Sequence, residues 1–178
     1  MELLDIITKE GLPTGVTKNR KEVHKRGDLH GVVHVWVFDR DKNIILQKRH
    51  KNKKMFPDFW DISCAGHIQA GETPEDAVWR ELNEELSLEK QDLHGIEFIN
   101  TIYEGWKTDK YINREIAYIY ATRIQSKVEF IAASTEVTGI EILPLEQFER
   151  LTQIQDNNMV PHPEEYKMFI NYLKATKI

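Results

Sequence analysis

Residues 66–88, GHIQAGETPEDAVWRELNEELSL, are the most informative stretch of this sequence. From residue 73 onward the stretch predicts a helix that ends near residue 88. Thr73 suits the N-cap, Pro74 suits the first helical position, and Asp76 stands where the acid of a capping box belongs. The helix therefore has a defined start, and the direction of its side chains can be worked out from the spacing.

Three glutamates share one face of this predicted helix. At about 100° per residue, Glu81, Glu84 and Glu85 fall within a stripe roughly 100° wide. An apolar, core-facing stripe runs beside it and contains Val78, Trp79, Leu82 and Leu86. Carboxylates about 6 Å apart repel by on the order of 3 kcal/mol per pair at an effective dielectric near 20. Two interpretations stay open: a solvated surface helix, or a divalent cation, with Mg²⁺ or Mn²⁺ suiting ligands that are all oxygen.

The same stretch resembles the Nudix box. That motif has a Gly, five residues, a Glu, seven residues, and then Arg-Glu-aliphatic-any-Glu-Glu-any-Gly-aliphatic. The matching residues are Gly66, Glu72, Arg80, Glu81, Leu82, Glu84, Glu85 and Leu88. The resemblance implies a Nudix hydrolase, which attacks phosphorus with activated water while metal ions neutralise the diphosphate. It also implies a Nudix-type αβα sandwich.

The resemblance also implies roles for individual residues. Glu81 and Glu85 are the expected metal ligands, with Glu84 contributing directly or through water. Glu72 adds a ligand or orients a water, so it is counted as catalytic together with Glu84, Glu85 and Arg80. Arg80 orients the carboxylates through an ion pair. The backbone at Gly66 approaches the metal or phosphate, where a side chain is unwelcome. The expected cofactor is Mg²⁺, with Mn²⁺ as the alternative.

Ser87 departs from the motif, which has a glycine at this position. The family glycine ends the helix in a left-handed conformation, which costs other residues roughly 1 kcal/mol. Because Ser87 has no ligand role, we expect an altered helix end and retained activity.

The remaining sequence has strands in runs with few helices between them, which predicts an α/β protein of mixed α+β type with a mixed β-sheet packed between helices. The predicted strands are residues 3–8, opening a hairpin, and 32–38, 44–49, 60–65, 96–103, 115–123 and 137–143. A short helix from Pro144 to about Thr152 and a closing helix from Pro161 to about Ala175 follow. We expect one domain over 1–178, with a core at about 30–152, an N-terminal hairpin at 1–29 and a C-terminal helix at 161–175.

His24 and His30 precede the strand VVHVWVF, Phe56-Pro57 and Trp60 precede the motif, and Ala65-Gly66-His67 opens it. These surroundings resemble the subgroup related to type I isopentenyl-diphosphate isomerase, over roughly residues 3–145. In those enzymes, histidines at the positions of His24, His30 and His67 hold a metal together with two glutamates. For this chain, hydrogen-bonding or surface histidines remain the alternative. Of the two glutamate positions, Glu115 matches one and Asn113 replaces the other.

The isomerase cysteine is also missing. Its aligned position holds Ala65, and Cys64, one residue earlier, should point to the other face of the strand as a buried apolar residue. With the hydrolytic set complete and two isomerase elements absent, hydrolysis is favoured.

Other candidates lie outside the motif. Arg49, at the strand end of the basic run 48–54, and His67 are candidate substrate-binding residues, although that run also suits a solvated loop. Glu136 is a candidate auxiliary base. Trp36 and Trp106 suit either the core or base stacking.

Composition limits the class of partner. The 24 basic and 29 acidic residues give a net charge of −5, which argues against binding a nucleic-acid polymer through a basic surface. A single cysteine favours a reducing compartment, and the first residues do not resemble a signal peptide. No apolar run reaches the roughly 18 residues of a membrane span. We therefore expect a cytoplasmic enzyme without a membrane partner, acting on a small-molecule diphosphate. The family resemblance allows a homodimer.

The leading hypothesis is a pyrophosphohydrolase that cleaves a phosphoanhydride bond in a nucleoside diphosphate-linked or related compound. The alternatives are an enzyme like isopentenyl-diphosphate isomerase and a non-catalytic nucleotide sensor.

Overall fold

The chain begins with a hairpin followed by a short helix. The computed structural model describes residues 2–109, 111–125, 137–155 and 157–177. Strands β1 (Leu3–Ile7) and β2 (Pro13–Asn19) pair antiparallel, as predicted. The helix α1 (Arg20–Arg26) corrects the prediction that residues 1–29 form only a hairpin. Residues at its two ends define this helix: the Asn19 side chain accepts a hydrogen bond from the Glu22 amide, and Gly27 ends the helix with φ 71°.

A seven-stranded mixed sheet forms the centre of the protein. Its strands are β3 (His30–Phe38), β4 (Asn43–Arg49), β5 (Trp60–Asp61), β6 (Cys64–His67), β7 (Glu97–Lys107), β8 (Ile112–Arg123) and β9 (Val137–Pro144). The main order is β5-β4-β3-β8-β7, with β6 paired to β3 and β9 paired to β4. Only β3 and β8 run parallel among these pairs. The predicted mixed sheet is confirmed, but the single strand predicted at residues 60–65 is two strands, β5 and β6.

Helices cover both faces of this sheet, which makes an αβα sandwich as predicted. The helices are α2 (Pro74–Leu86), α3 (Leu145–Leu151) and α4 (Pro163–Ala175), with a 3₁₀ turn at Lys90–Asp92. On one face, β3 packs with α3 and α4 through a cluster that includes Trp36, Phe38, Phe148, Phe169 and Leu173. On the other face, β3 packs with α2 through Val33, Val35, Val37, Val78 and Leu82. No helix among the described residues is long and apolar enough to cross a membrane.

Strand β3 positions the candidate sites because every one of its residues is buried and alternate residues face opposite layers. Val33 lies opposite Gly66 on β6 and therefore shares the α2 face with it. His30 lies opposite Glu115 on β8, on the α4 face. Candidate site residues therefore lie on both faces of the sheet next to β3: Gly66 on the α2 face and Glu115 on the α4 face.

Candidate active site

Helix α2 is capped as the sequence predicted. The Thr73 side chain accepts a hydrogen bond from the Asp76 amide at 3.2 Å, and the Asp76 side chain accepts one from the Thr73 amide at 3.3 Å. Ser87 adopts the left-handed conformation, with φ 56°, and its amide donates to the Asn83 carbonyl at 3.0 Å. The helix is therefore held at both ends. The altered helix end expected at Ser87 is wrong, because the serine adopts the left-handed conformation of the family glycine.

The three glutamates of α2 lie beside its buried face. Glu81 and Glu85 are buried, at 8% and 3% exposed, while the Glu84 side chain is 57% exposed. Leu82 and Leu86 of the same helix are fully buried in the core. The predicted adjacency of an acidic and an apolar stripe is confirmed, and the glutamates differ in how much water reaches them.

Arg80 gathers the carboxylates of the motif. Its Nε and Nη2 donate to the two oxygens of Glu72 at 2.7 and 2.9 Å. Its Nη1 donates to Glu81 at 2.5 Å and to Glu84 at 3.2 Å. These hydrogen bonds raise the pKa of Arg80, and those to Glu72 contribute most. In turn, the hydrogen bonds from Arg80 keep the pKa of Glu72 below its usual value. The guanidinium therefore stays charged and holds three carboxylates in one place.

Strand β6 and a neighbouring glutamine position the two buried glutamates. A Cβ on Gly66 would overlap the Glu81 carboxylate, so only glycine leaves room for it here. Glu85 Oε2 accepts from the Ala65 amide at 3.1 Å and from Gln47 Nε2 at 3.0 Å. Gln47 was not among the predicted site residues, although a polar residue inside the apolar strand IILQKR was a signal.

Cys64 lies on the α2 face of β6 and not on the α4 face. It is fully buried among the apolar residues that pack against α2, whereas Ala65 packs on the opposite side. Burial and the nearby charges of Glu85 and Glu81 raise the pKa of the Cys64 thiol well above its usual value. Both the opposite orientation and the buried apolar surroundings predicted for Cys64 are confirmed.

Three histidines and a glutamate meet on the α4 face, and we call this group the histidine centre. The Nε2 atoms of His30, His67 and His24 lie 3.2, 3.6 and 3.9 Å from Glu115 Oε1. Burial alone would raise the pKa of Glu115, but the three nearby imidazole rings keep it well below the usual value. The Asn113 side chain donates a hydrogen bond to Glu115 Oε2.

The other ring nitrogens of these histidines are already engaged. His24 Nδ1 lies 2.8 Å from the Arg20 carbonyl, and His30 Nδ1 lies 3.0 Å from the Asp28 carbonyl. His67 Nδ1 lies 3.1 Å from Glu2, a residue that the sequence did not mark. With Nδ1 bonded to oxygen, a neutral ring presents the Nε2 lone pair. Among the described residues, none of the three buried Nε2 atoms has a hydrogen-bond partner, so together with Glu115 they form a group that could hold a metal ion.

The candidate residues outside the motif have different surroundings. Arg49, predicted to bind substrate, donates to Asp61 Oδ2 at 2.7 Å and to the Met55 carbonyl at 3.3 Å. Trp36 is in the core, whereas Trp106 is half-buried and stacks on Tyr111 at 5.1 Å between ring centroids. Glu136 lies outside the described residues.

A sheet sandwiched between helices, with a glutamate-bearing helix held against one strand, defines a Nudix fold. A crystal structure from Deinococcus radiodurans has this fold, with a TM-score of 0.73 at 21% identity, over 93% of this chain and 98% of that one. The family model for the NUDIX domain matches residues 28–162. A Nudix hydrolase of Clostridium acetobutylicum is 37% identical over 153 residues, 84% of this chain and 73% of that protein. The chain therefore belongs to the Nudix hydrolases, enzymes that act on pyrophosphate bonds.

Two further relatives bear on the branch of the family. Nudix hydrolase 3 of Arabidopsis thaliana is 36% identical over 167 residues, which are 90% of this chain but only 22% of that protein's length. Isopentenyl-diphosphate Delta-isomerase 2 of Photorhabdus laumondii is 35% identical over 88 residues, 49% of each protein. The isomerase similarity is real but covers a shorter part of the chain.

Proposed function

We propose that this protein is a Mg²⁺-dependent pyrophosphohydrolase, with Mn²⁺ as an alternative ion, that cleaves a phosphoanhydride bond in a nucleoside diphosphate linked to another moiety or in a related diphosphate. One observation supports this most: Glu81, Glu84 and Glu72 converge on the Arg80 guanidinium, with Glu85 one helical turn from Glu81. A solvated surface helix would leave its glutamates exposed, whereas Glu81 and Glu85 are buried.

The proposed roles follow from burial and contacts. Glu81 and Glu85 hold the ion, because their buried oxygens face β6 and are fixed by Arg80, Gln47 and the strand backbone. Glu84, which is more exposed, contributes directly or through water. Glu72 orients water, since its two oxygens are fixed by Arg80. When bound, the ion would neutralise diphosphate charge and lower the pKa of water.

The histidine centre is the observation that favours a second candidate, an isomerase-like enzyme acting on isopentenyl diphosphate. The donor set of three imidazoles and one carboxylate suits a divalent transition-metal ion. Three observations argue against isomerisation. Ala65 occupies the position of the isomerase cysteine and has no ionisable proton, and Cys64 lies on the opposite face of β6 from the histidine centre. Asn113 stands in place of a second carboxylate. We therefore propose that the centre binds a metal in an enzyme whose reaction is hydrolysis.

A substrate panel tests the proposal. The protein is incubated with ADP-ribose, other nucleoside diphosphate conjugates, nucleoside triphosphates and isopentenyl diphosphate, with Mg²⁺ or Mn²⁺, and products are separated by ion-exchange chromatography. We expect release of phosphate or nucleoside monophosphate, and loss of at least about 100-fold in rate for Glu85→Gln. Glu75→Gln, on the same helix but outside the carboxylate stripe, is the matched control.

Two outcomes would contradict the proposal. Equal rates for Glu85→Gln and wild type would remove the role assigned to Glu85. Incorporation of solvent deuterium into isopentenyl diphosphate, without hydrolysis of any compound in the panel, would favour the isomerase-like candidate.

A further inference from the structure

A second group of side chains of the types that bind metal ions lies on the α4 face, and it shares no residue with the histidine centre or the α2 carboxylates. Its members are His34 on β3, Glu104 on β7, His162 at the N-cap of α4 and Glu165 in the first turn of α4. One ligand atom from each lies within 4.8 Å of all the others. We call these four residues the α4 cluster. The proposed hydrolysis uses none of them, and no sequence motif predicts them.

Three distances within the α4 cluster are close to, and lie on both sides of, the ligand spacing of a tetrahedral metal site. His34 Nδ1 lies 2.8 Å from Glu165 Oε2, and His162 Nδ1 lies 2.9 Å from Glu104 Oε1. His162 Nδ1 also lies 3.9 Å from Glu165 Oε2. With metal–ligand bonds of about 2.0–2.1 Å, the ligand atoms of a tetrahedral Zn²⁺ site are roughly 3.4 Å apart. The present separations lie on both sides of that value, so only small side-chain movements are needed.

We propose that His34, Glu104, His162 and Glu165 bind a divalent transition-metal ion, for which Zn²⁺ is the best match. Two imidazole nitrogens and two carboxylate oxygens suit Zn²⁺ and related borderline ions, whereas Mg²⁺ prefers oxygen ligands and retains water. The site is independent of the proposed function, because it shares no residue with the α2 carboxylates or with the histidine centre.

Outer contacts orient two of the four ligands, Glu165 and His162, as second-layer residues do in metal sites. Trp36 Nε1 donates to Glu165 Oε1 at 2.8 Å, which leaves Oε2 directed into the α4 cluster. Asp61 Oδ1 lies 3.4 Å from His162 Nε2, and Arg49 Nη1 binds the other Asp61 oxygen at 2.7 Å. A carboxylate behind a metal-binding histidine fixes its ring and makes it a better donor. Asp61 and Trp36 therefore have the positions of second-layer residues around an ion.

Burial and charge also favour a cation at this place. The Glu165 side chain is only 1% exposed, and those of His34, His162 and Glu104 are 7%, 10% and 21% exposed. Three carboxylates meet here, those of Glu104, Glu165 and Asp61, and Arg49 is the one permanently charged cation among these groups. A divalent ion would balance the remaining two negative charges without requiring the histidines to be protonated.

Four protein ligands complete a tetrahedron, so the bound ion would have a structural role. The ligands come from β3, β7 and the start of α4, whose Phe169 and Leu173 are fully buried in the core. The ion would therefore attach the last helix to the sheet. Removing it should lower thermal stability without removing the α2 carboxylates that we assign to hydrolysis.

The test uses Co²⁺, which replaces Zn²⁺ in such sites and gives visible absorption bands when tetrahedral. The purified full-length protein is stripped with a chelator and titrated with Co²⁺, first in a variant that lacks the histidine centre, His30→Gln/His67→Gln. We expect one tightly bound Co²⁺ per chain and displacement of its bands by Zn²⁺. Adding His162→Gln should weaken this binding by at least about 100-fold, whereas adding His94→Gln, an exposed histidine, should not change it.

The result that overturns the proposal is a folded His30→Gln/His67→Gln protein, judged by circular dichroism, that binds no Co²⁺ tightly or binds it equally with and without His162. If that variant does not fold, Glu104→Gln in the wild-type background takes its place, because Glu104 is the most exposed ligand. Loss of one Co²⁺ equivalent and of the Zn²⁺-induced rise in melting temperature then supports the site. Unchanged stoichiometry and an unchanged melting shift refute it.

Discussion

Gly66 on β6 and Glu81 on α2 approach so closely that a methyl group at position 66 would overlap the Glu81 carboxylate. The requirement is for space alone, since Gly66 does not have the positive φ that itself favours glycine. Glu81 is held from its other side by Arg80 at 2.5 Å. The position of the Glu81 carboxylate therefore depends on the absence of a Cβ at Gly66 and on the positive charge of Arg80.

Replacing Gly66 by alanine should impair hydrolysis more than stability. The overlapping atoms are the end of a flexible side chain, so the Glu81 carboxylate moves while β6 keeps its place. We expect a fall of at least about 100-fold in kcat/KM, since small misplacements of catalytic groups have effects of that size, and a loss of about 1–2 kcal/mol in the free energy of unfolding. Steady-state kinetics and urea unfolding measure both.

Gly139→Ala is the control, because a Cβ at that strand position meets nothing closer than Lys48 Cβ at 3.5 Å. Wild-type kinetics in Gly66→Ala would show that the position of Glu81 does not matter for the reaction.

Replacing Arg80 by glutamine should make the protein more dependent on Mg²⁺ for stability. Without the guanidinium, Glu72, Glu81 and Glu84 repel one another with no fixed cation between them. The Arg80 side chain is about one-fifth exposed, so we expect a loss of about 1–3 kcal/mol, less than for a fully buried pair. Differential scanning calorimetry should show a larger Mg²⁺-induced rise in Tm for Arg80→Gln than for wild type.

Arg40→Gln controls for the loss of a positive charge, because the Arg40 side chain is largely exposed. Equal Mg²⁺-induced shifts in wild type and Arg80→Gln would mean that the ion and Arg80 do not serve the same carboxylates.

Replacing Ser87 by glycine should stabilise the protein and leave hydrolysis unchanged. Ser87 has φ 56°, a left-handed conformation that costs a residue with a Cβ about 1 kcal/mol relative to glycine. We expect a rise in Tm of roughly 2–4 °C for a chain of this size. Ser87→Ala retains the Cβ and should show no such rise. A lower Tm in Ser87→Gly would indicate that the serine side chain stabilises the helix end.

Local sequence signals predicted the parts of the molecule that are built locally. The capping residues located the start of α2, helical periodicity placed its glutamates beside the core, and the β-branched run VVHVWVF located β3. The strands predicted at residues 96–103 and 115–123 correspond to parts of β7 and β8. The short α1 was missed because it has no apolar periodicity over its seven residues and depends on caps at Asn19 and Gly27.

Contacts between distant parts of the chain could not be predicted in this way. His34 and Glu165 are 131 residues apart and meet only because α4 packs across β3. Glu2 reaches His67 because β1 lies beside the loop after β6, where Leu4 pairs with Gln69. No spacing rule connects such residues, so the histidine centre was predicted only through family resemblance, and the α4 cluster was not predicted at all.

Cys64 should resist alkylation in the folded protein over the whole range from pH 7 to pH 9. Its thiol is fully buried, and burial together with the charges of Glu85 and Glu81 raises its pKa well above the usual value. Because the thiolate is the reactive form, raising the pH to 9 does not produce the nucleophile in the native state. We expect iodoacetamide to label the protein at least about a thousandfold more slowly than it labels the same protein in urea.

The measurement is mass spectrometry of timed samples at pH 7, 8 and 9, with and without urea. The rate in the folded protein should equal the rate in urea at the same pH multiplied by the small population of opened molecules. Labelling of the native protein at a rate close to that in urea would show that Cys64 is reachable from solvent. A reachable thiol would reopen the isomerase-like candidate, since a cysteine that donates a proton to substrate must be accessible to it.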